Sequence, residues 1–402
     1  MLRILLLCLA FVLPLSGAEK KTVCLNMIVK NETAVITRCL ESVKPIIDYW
    51  VIVDTGSSDG TQELIKTYMK DIPGELHERP WKNFEHNRNE ALELARGKAD
   101  YLLIMDADDM LEFDPGFTMP PLSAGAYRVS IKYGGMSYTR LQLIATHLPW
   151  KWKGVIHEVL TCDAAHQVDS IDQMRYVVRG GGARSQDPQK FLKDAMVLEE
   201  ALKNDPTSTR YTFYLAQSYR DAGEKEKSLS WYEKRVAMGG WEEEVFWSLL
   251  QIAQLQQSLK KPIETVIETY YRAHRLRPHR SEPIYHLAEI FNQQGRNDLA
   301  YEIIKSKKFI KAPTQKDVLF VQDWIDDYGL LFQLSICSYY VGEYQESLDA
   351  CDQLLQSKTL PEGWRRQVQV NRVFPQEKLS AQARAAECCA QISQPRTLYA
   401  QG

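Results

Sequence analysis

Three carboxylates crowd the end of one apolar run: Tyr101-Leu102-Leu103-Ile104-Met105 passes directly into Asp106-Ala107-Asp108-Asp109. A run of this kind reads as a buried parallel strand covered by helices on both faces. Open α/β sheets keep their ligand crevice at the C-terminal ends of such strands. If extended geometry persists one more step, Asp106 and Asp108 project to the same side. Like charges that close are unfavourable unless a cation or its ligand lies between them. The chemistry implied is a divalent ion carrying a nucleotide diphosphate. A helix cap or an acidic turn is the plainer alternative for an isolated Asp-x-Asp, so the decision rests on what lies upstream.

Upstream, strands and helices alternate. Thr22–Val29 is a strand, and Thr33–Val43 has helical apolar spacing and is ended by Pro45. Tyr49–Val53 is a second buried strand that reaches Asp54-Thr55-Gly56-Ser57-Ser58-Asp59-Gly60-Thr61-Gln62. Asp59 with Gln62 forms a capping-box variant for a helix over Thr61–Met69. A short strand at Glu75–Glu78 and a helix at Phe84–Ala95, carrying Arg88 and Asn89, lead to the central strand. Right-handed crossovers put these strands in one parallel sheet, with Asp54 and Asp106 on the same rim. A nucleotide there gives each residue a task. Asp54 accepts the imide N–H of a uracil or the N1–H of a guanine. Asp106 takes ribose hydroxyls or a metal-bound water. Asp108 ligates Mg²⁺ or Mn²⁺, which prefer carboxylate oxygen. Arg88 reaches phosphate or base.

Four ordered segments carry a family resemblance: Ile28-Val29-Lys30-Asn31-Glu32, Val53 to Thr61, Arg88-Asn89-Glu90-Ala91, and Met105 to Asp109. Together they resemble the blocks of family 2 glycosyltransferases over roughly residues 22 to 160. The resemblance implies a GT-A fold, a Rossmann-like mixed α/β sheet, a nucleotide-sugar donor (a UDP-sugar favoured), and inversion at the anomeric carbon. It places Asn31, Glu32, Asp54, Arg88 and Asp106 at the donor, and Asp106 and Asp108 at the metal.

Beyond the acidic motif the pattern turns antiparallel. Ala126–Tyr133 and Tyr138–Ile144 flank Gly134-Gly135, a hairpin signal. His157-Glu158 then resembles a feature of the members of that family fused to helical repeats. An inverting transfer needs a base for the acceptor's proton. Glu158 is the candidate, with Asp109 and Asp163 in reserve, and His157 is a candidate metal or diphosphate contact. A solvent-facing strand pair is the plainer account of the dipeptide. Trp150 and Trp152 offer either a sugar-stacking platform or core packing.

Gly180-Gly181-Gly182 reads as a linker, dividing a transferase domain at 19–182 from an all-α region at 183–402. In that region Tyr214–Glu224, His286–Arg296 and Gln333–Glu343 align, each with a glycine at the helix turn, and Trp247–Ala253 supplies another copy. Helical hairpins near the period of about 34 residues imply a degenerate tetratricopeptide (TPR)-like superhelix of about four hairpins. A longer connection containing Pro313 precedes the last hairpin, and Ala381–Ile392 reads as a capping helix. The array offers a groove for a peptide, protein or glycan acceptor, or simply buttresses the enzyme.

The totals narrow the field. With 402 residues there is room for two or three domains, and a net charge of −3 leaves no footprint for nucleic acid. Eight cysteines show neither zinc spacing nor scaffold density, leaving one or two bridges possible. Arg3, the apolar stretch Ile4–Leu15 and Ser16-Gly17-Ala18 describe a secretory signal over 1–18, or alternatively a short membrane anchor. The mature chain would begin near Glu19, in a secretory lumen, periplasm or exterior. No later segment reads as transmembrane. Three functions compete: a metal-dependent glycosyltransferase, a repeat adaptor with a vestigial transferase domain, and a nucleotidyltransferase. The last usually needs a glycine-rich basic phosphate loop, which is missing near the first strand.

Overall fold

A computed structural model of the chain describes residues 20–307, 310 and 317–392. The signal segment at 1–18, the start at Glu19, Cys8 and Pro313 lie outside these residues. The chain divides into two compact units. One comprises the described residues up to Val129 with Arg140–Gly154 and Glu158–Ala183; the other comprises Ser130–Thr139, Val155–His157 and the described residues from Arg184 onward.

The first unit is built on β1 (Val23–Val29), α1 (Ile36–Val43), β2 (Tyr49–Asp54), α2 (Thr61–Tyr68), β3 (Gly74–Glu78), α3 (Phe84–Ala95) and β4 (Tyr101–Ile104). After them come β5 (Met110–Phe113), β6 (Ala126–Tyr133), β7 (Met136–Ala145), β8 (Lys151–Lys153), β9 (Val159–Thr161) and β10 (Val168–Val177). Eight strands form one sheet in the order β3-β2-β1-β4-β7-β6-β10-β5, and β8 pairs with β9. The β1, β2, β3 and β4 pairings are parallel, because α1, α2 and α3 carry the chain back between successive strands. The sheet becomes mixed at β7, which runs antiparallel to β4. The parallel strands are apolar because helices shield them: β4 is buried throughout, and α1 buries Ile36, Cys39, Leu40 and Val43 at helical spacing. Gly74 lies so close under the Trp50 indole that a Cβ there would sit 2.2 Å from ring carbons.

Two local expectations need correction. Extended geometry stops at Ile104, and Asp106–Asp109 form a turn closed by the Asp109 N–H on the Asp106 carbonyl (3.3 Å), so the two aspartates do not share a strand face. The capping box is not made: Gly60 is the N-cap, Asp59 binds the Thr61 N–H and hydroxyl, and the Gln62 amide reaches Asp54 instead. Of the two readings of Trp150 and Trp152, core packing is the one observed: they are 3% and 7% exposed. Among the described cysteines, Cys24, Cys39, Cys162, Cys337 and Cys351 are free thiols.

The second unit is helical: α4 (Lys190–Asn204), α5 (Thr209–Asp221), α6 (Lys225–Met238), α7 (Glu242–Ser258), α8 (Ile263–Leu276), α9 (Glu282–Gln293), α10 (Asn297–Ser306), α11 (Leu330–Tyr340), α12 (Tyr344–Gln356) and α13 (Glu362–Ile392). Three hairpin turns repeat one hydrogen bond, from the residue after the glycine back to the helix: Glu224 to Tyr219, Arg296 to Phe291 and Glu343 to Ser338. The intervening glycines Gly223, Gly295 and Gly342 have φ of 82°, 72° and 91°. The α7–α8 turn makes the same bond, from Lys261 to Gln256, with Lys260 at φ 55° in the glycine's place. Small buried residues stand where paired helices cross, and the Ser228 and Ser347 hydroxyls bind the Ala216 and Ser335 carbonyls.

Within this unit, the aromatic face of α5 and α7 is covered by the chain itself. The Phe320 ring packs on Phe213, Trp247 and Tyr138, and Val321 bridges Ser137 through two hydrogen bonds of 2.7 Å. The Glu243 carboxylate holds the N–H groups of Val318 and Leu319, and Arg280 holds the Leu319 and Phe320 carbonyls.

Candidate functional site

In the first unit, Val29 pairs with Asp54 at the end of the β1–β2 ladder, so the loops that follow meet on the rim. They are stitched together. Asn31, at φ 56°, donates its N–H to the Ser57 hydroxyl and accepts from the Ser58 N–H, both at 2.8 Å. Asp59 accepts from the Thr33 N–H and hydroxyl, and the Glu32 N–H binds the Thr61 hydroxyl. Asn31 thus spends its side-chain oxygen on the loop.

Asp54 is 1% exposed. Its Oδ1 accepts from the Gly56 N–H, the Ser57 N–H and the Gln62 amide at 2.8–3.1 Å. Its Oδ2 is buried and has no hydrogen-bond partner among the described residues. Leaving such an acceptor unsatisfied costs about 1–3 kcal/mol, and a donor brought by a ligand would recover it.

The acidic turn separates into two groups. Asp106 is saturated by cations and a phenol: Arg88 binds Oδ1 at 2.7 Å, Arg140 stands 3.6 Å from Oδ2, and Tyr176 donates to Oδ2 at 3.2 Å while accepting the Asp106 N–H. Burial alone would raise this carboxyl; Arg88, then Arg140, outweigh it and hold it far below the usual range. Arg88 is itself enclosed, its guanidinium over the Trp152 ring and its Nε 3.9 Å from the Glu158 carboxylate. It joins the acidic turn to the candidate base from inside. The remaining carboxylates face each other. Burial, then the Asp108 charge, push Glu32 up to about 7, and its Oε2 is buried with no hydrogen-bond partner among the described residues. Burial, then Asp106 and Asp108, raise Asp109 to about 6, although Asp109 accepts the Arg179 N–H.

The glycines expected to be a linker close over this pair. The Gly182 N–H reaches Asp108 at 3.4 Å, and a Cβ on Gly182 would lie 2.9 Å from Glu32 Oε2 and 3.0 Å from Asp108 Oδ2. Arg38 ties the Gly180 carbonyl to that of Asp108. Any side chain at 182 would crowd the two carboxylates and oblige them to shift.

Of the other expected residues, Asp163 is exposed and Glu158 is nearly enclosed, its side chain 9% exposed. His157 belongs to the second unit, with its ring stacked on Tyr214 at 4.0 Å. Although His157 retains exposed surface, the chain packed about its ring and then Arg210, Arg184 and Lys190 lower its pKa and keep the imidazole neutral. Arg140, Tyr176 and Arg38 were not among the expected site residues. One signal was available for the first, the polar alternation Arg140, Gln142 inside an apolar strand; Gln142 is fully buried and binds the Ile104 carbonyl.

A cation fits part of this arrangement. Both oxygens of Asp106 are already engaged, and among the described residues no group of three or more His, Cys, Asp or Glu is gathered to hold a metal. Glu32 and Asp108 are an acidic pair short of positive charge, and Mg²⁺-type ions take one or two carboxylates with water and substrate phosphate completing the shell.

Residues 24–116 match the family model "Glycosyl transferase family 2". The chain is 25% identical over 308 residues to a TPR repeat-containing protein of Synechococcus elongatus, covering 71% of this chain and 75% of that one. It is 22% identical over 237 residues to the SPbeta prophage-derived glycosyltransferase SunS of Bacillus subtilis, covering 55% of each. Over 97 residues it is 31% identical to the lipopolysaccharide core biosynthesis glycosyltransferase LpsC of Rhizobium meliloti, covering 24% of this chain and 35% of that one. Among solved structures, the TPR protein YrrB aligns at a TM-score of 0.32 and 11% identity, over 48% of this chain and 84% of that one. Residues 24–116 therefore carry a glycosyl transferase family 2 domain, in a chain that continues into TPR-like helical hairpins.

Proposed function

We propose that the protein transfers a sugar from a nucleotide-sugar donor, a UDP-sugar by preference, to an acceptor hydroxyl or other nucleophile, with inversion and with help from Mn²⁺ or Mg²⁺. The observation that carries this reading is the Asp54 carboxylate, buried at the end of β2 with one oxygen anchored and the other lacking a donor. A uracil imide N–H supplies that donor. Glu158 takes the acceptor's proton as the acceptor–carbon bond forms and the bond from the anomeric carbon to phosphate oxygen breaks, releasing nucleoside diphosphate. Arg88 orients Glu158, and Arg140 adds positive charge near the departing diphosphate. Asp108 with Glu32 would hold the cation. When bound, the ion supplies charge neutralisation to the leaving group. Asp106, engaged by two arginines, organises the rim and is assigned no direct bond to the metal. A secretory, periplasmic or extracellular location belongs to the same proposal.

The test is a hydrolysis screen of UDP-, GDP- and TDP-sugars with Mn²⁺, because water can stand in for the acceptor. Slow release of nucleoside diphosphate from at least one UDP-sugar, abolished by Asp108→Ala, is expected. Turnover of no donor, together with no diphosphate binding, would leave the adaptor reading in possession.

A further inference from the structure

Arg140 and Gln142 stand two residues apart on β7, so their side chains leave on the same face of the strand. Gln142 is fully buried, and its amide serves two partners: it donates to the Ile104 carbonyl at 3.0 Å and accepts the Arg140 Nε–H at 3.0 Å. Ile104 is the last residue of β4, just ahead of the acidic turn. The Arg140 guanidinium has two further neighbours. Its carbon lies 5.1 Å from the centre of the fully buried Tyr176 ring, and its Nη2 stands 3.6 Å from Asp106 Oδ2. One amide, one ring and one carboxylate therefore fix a long side chain that is still 40% exposed. All these residues belong to the first unit.

An exposed arginine ordinarily keeps its rotamer freedom, and holding it in one orientation opposes folding. Three fixed partners leave Arg140 a preorganised guanidinium, whose planar fork suits two phosphate oxygens at once. The other arginine on Asp106 is placed differently: Arg88 is 14% exposed and lies between Asp106 and Glu158. Arg140 is the outward cation of the two, beside the turn that carries Asp108. We infer that Arg140 recognises the second phosphate of the bound nucleoside diphosphate, and that Gln142 is its positioning residue. This rests on the nucleotide-sugar reading above and deepens it. Preference for a diphosphate over a monophosphate then comes from an aimed guanidinium as well as from the cation at Asp108, and the departing phosphate meets a group already in place.

Calorimetric titration of the full chain in Mn²⁺ with UDP and with UMP separates the second phosphate from the rest of the nucleotide, with GDP and GMP run alongside. Arg140→Ala should weaken UDP at least tenfold and leave UMP within twofold of wild type, whereas loss of a merely structural arginine would weaken both alike. Arg140→Lys keeps the charge but lacks the Nε–H that Gln142 accepts, and its UDP-to-UMP affinity ratio should stay at least threefold below wild type. Gln142→Leu should lower that ratio at least threefold, and in the Arg140→Ala background should lower it no further, since residues acting as one unit are not additive. Should Gln142→Leu fail to fold, Arg140→Lys decides the same point from the other partner. Equal weakening of UDP and UMP by Arg140→Ala, or wild-type UDP affinity in that variant, would overturn the second-phosphate assignment and leave the nucleotide reading standing. A wild-type ratio in Arg140→Lys, or a further threefold loss in the double variant, would overturn positioning by Gln142. Binding of neither UDP nor GDP by the wild-type chain would overturn the nucleotide reading itself, and this inference with it.

Discussion

Replacing Glu32 with glutamine removes one of two facing carboxylates while keeping the side chain's length and shape. Burial, then Asp108, raise Glu32 from an ordinary 4.5 to about 7, so above neutral pH the folded protein holds an ionised group where it is disfavoured. A displacement of that size corresponds to about 3 kcal/mol, and water reaching the partly exposed side chain reduces the usable part to about 2 kcal/mol. The sign follows from linkage: a carboxyl whose folded pKa is raised gives its full stabilisation below its unfolded value, near 4.5, and loses it as pH rises through about 7. Glu32→Gln should therefore be more stable than wild type by about 2 kcal/mol at pH 8 and equal to it at pH 4, measured by urea denaturation at both pH values. The same variant should lose Mn²⁺-dependent stabilisation by nucleoside diphosphate, gaining stability where it loses function. Equal stability at pH 8, or a variant less stable than wild type there, would show that the pair is not electrostatically frustrated and would remove the case for a cation between them.

Asp54→Asn turns a buried acceptor that lacks a donor into a donor or a poorer acceptor, and should weaken UDP binding in Mn²⁺ by tenfold to a hundredfold in calorimetric titration. Arg235 and Glu244 form a buried ion pair, 0% and 5% exposed, so Arg235→Met strands a carboxylate and should cost about 3–5 kcal/mol in denaturant unfolding. Lys260→Gly relieves a left-handed lysine at the α7–α8 turn and should stabilise the helical unit by about 0.5–1 kcal/mol, seen as a higher denaturation midpoint.

How far the sequence reveals the molecule depends on the range of the interaction. Apolar runs and helical spacing depend on neighbours a few residues away, and α3 spans Phe84–Ala95 as its pattern implies. Asp54, Arg88 and Asp106 share the first unit because parallel crossovers bring consecutive strand ends to one rim. What the pattern hides is long-range: Tyr176 meets Asp106 from 70 residues along the chain, and nothing local marks it. Glycine is ambiguous for a physical reason. A missing side chain serves a loose linker and a close approach equally well, and at Gly182 a Cβ would crowd Glu32 and Asp108. The converse failure is Lys260, where a repeat turn keeps its hydrogen bond without its glycine. Spacing pairs Asp106 with Asp108, and it cannot show that Arg88 and Arg140 stand on the first or that the charge of the second raises Glu32.

On the proposed function, the rim of the N-terminal sheet binds a nucleoside diphosphate through a cation at Asp108. Calorimetric titration of UDP into the full chain, with Mn²⁺ and again with EDTA, tests it most directly when run beside Asp108→Ala. Binding in Mn²⁺ that disappears with EDTA and in the variant is expected. No binding by the wild type, or equal binding under all three conditions, would contradict it.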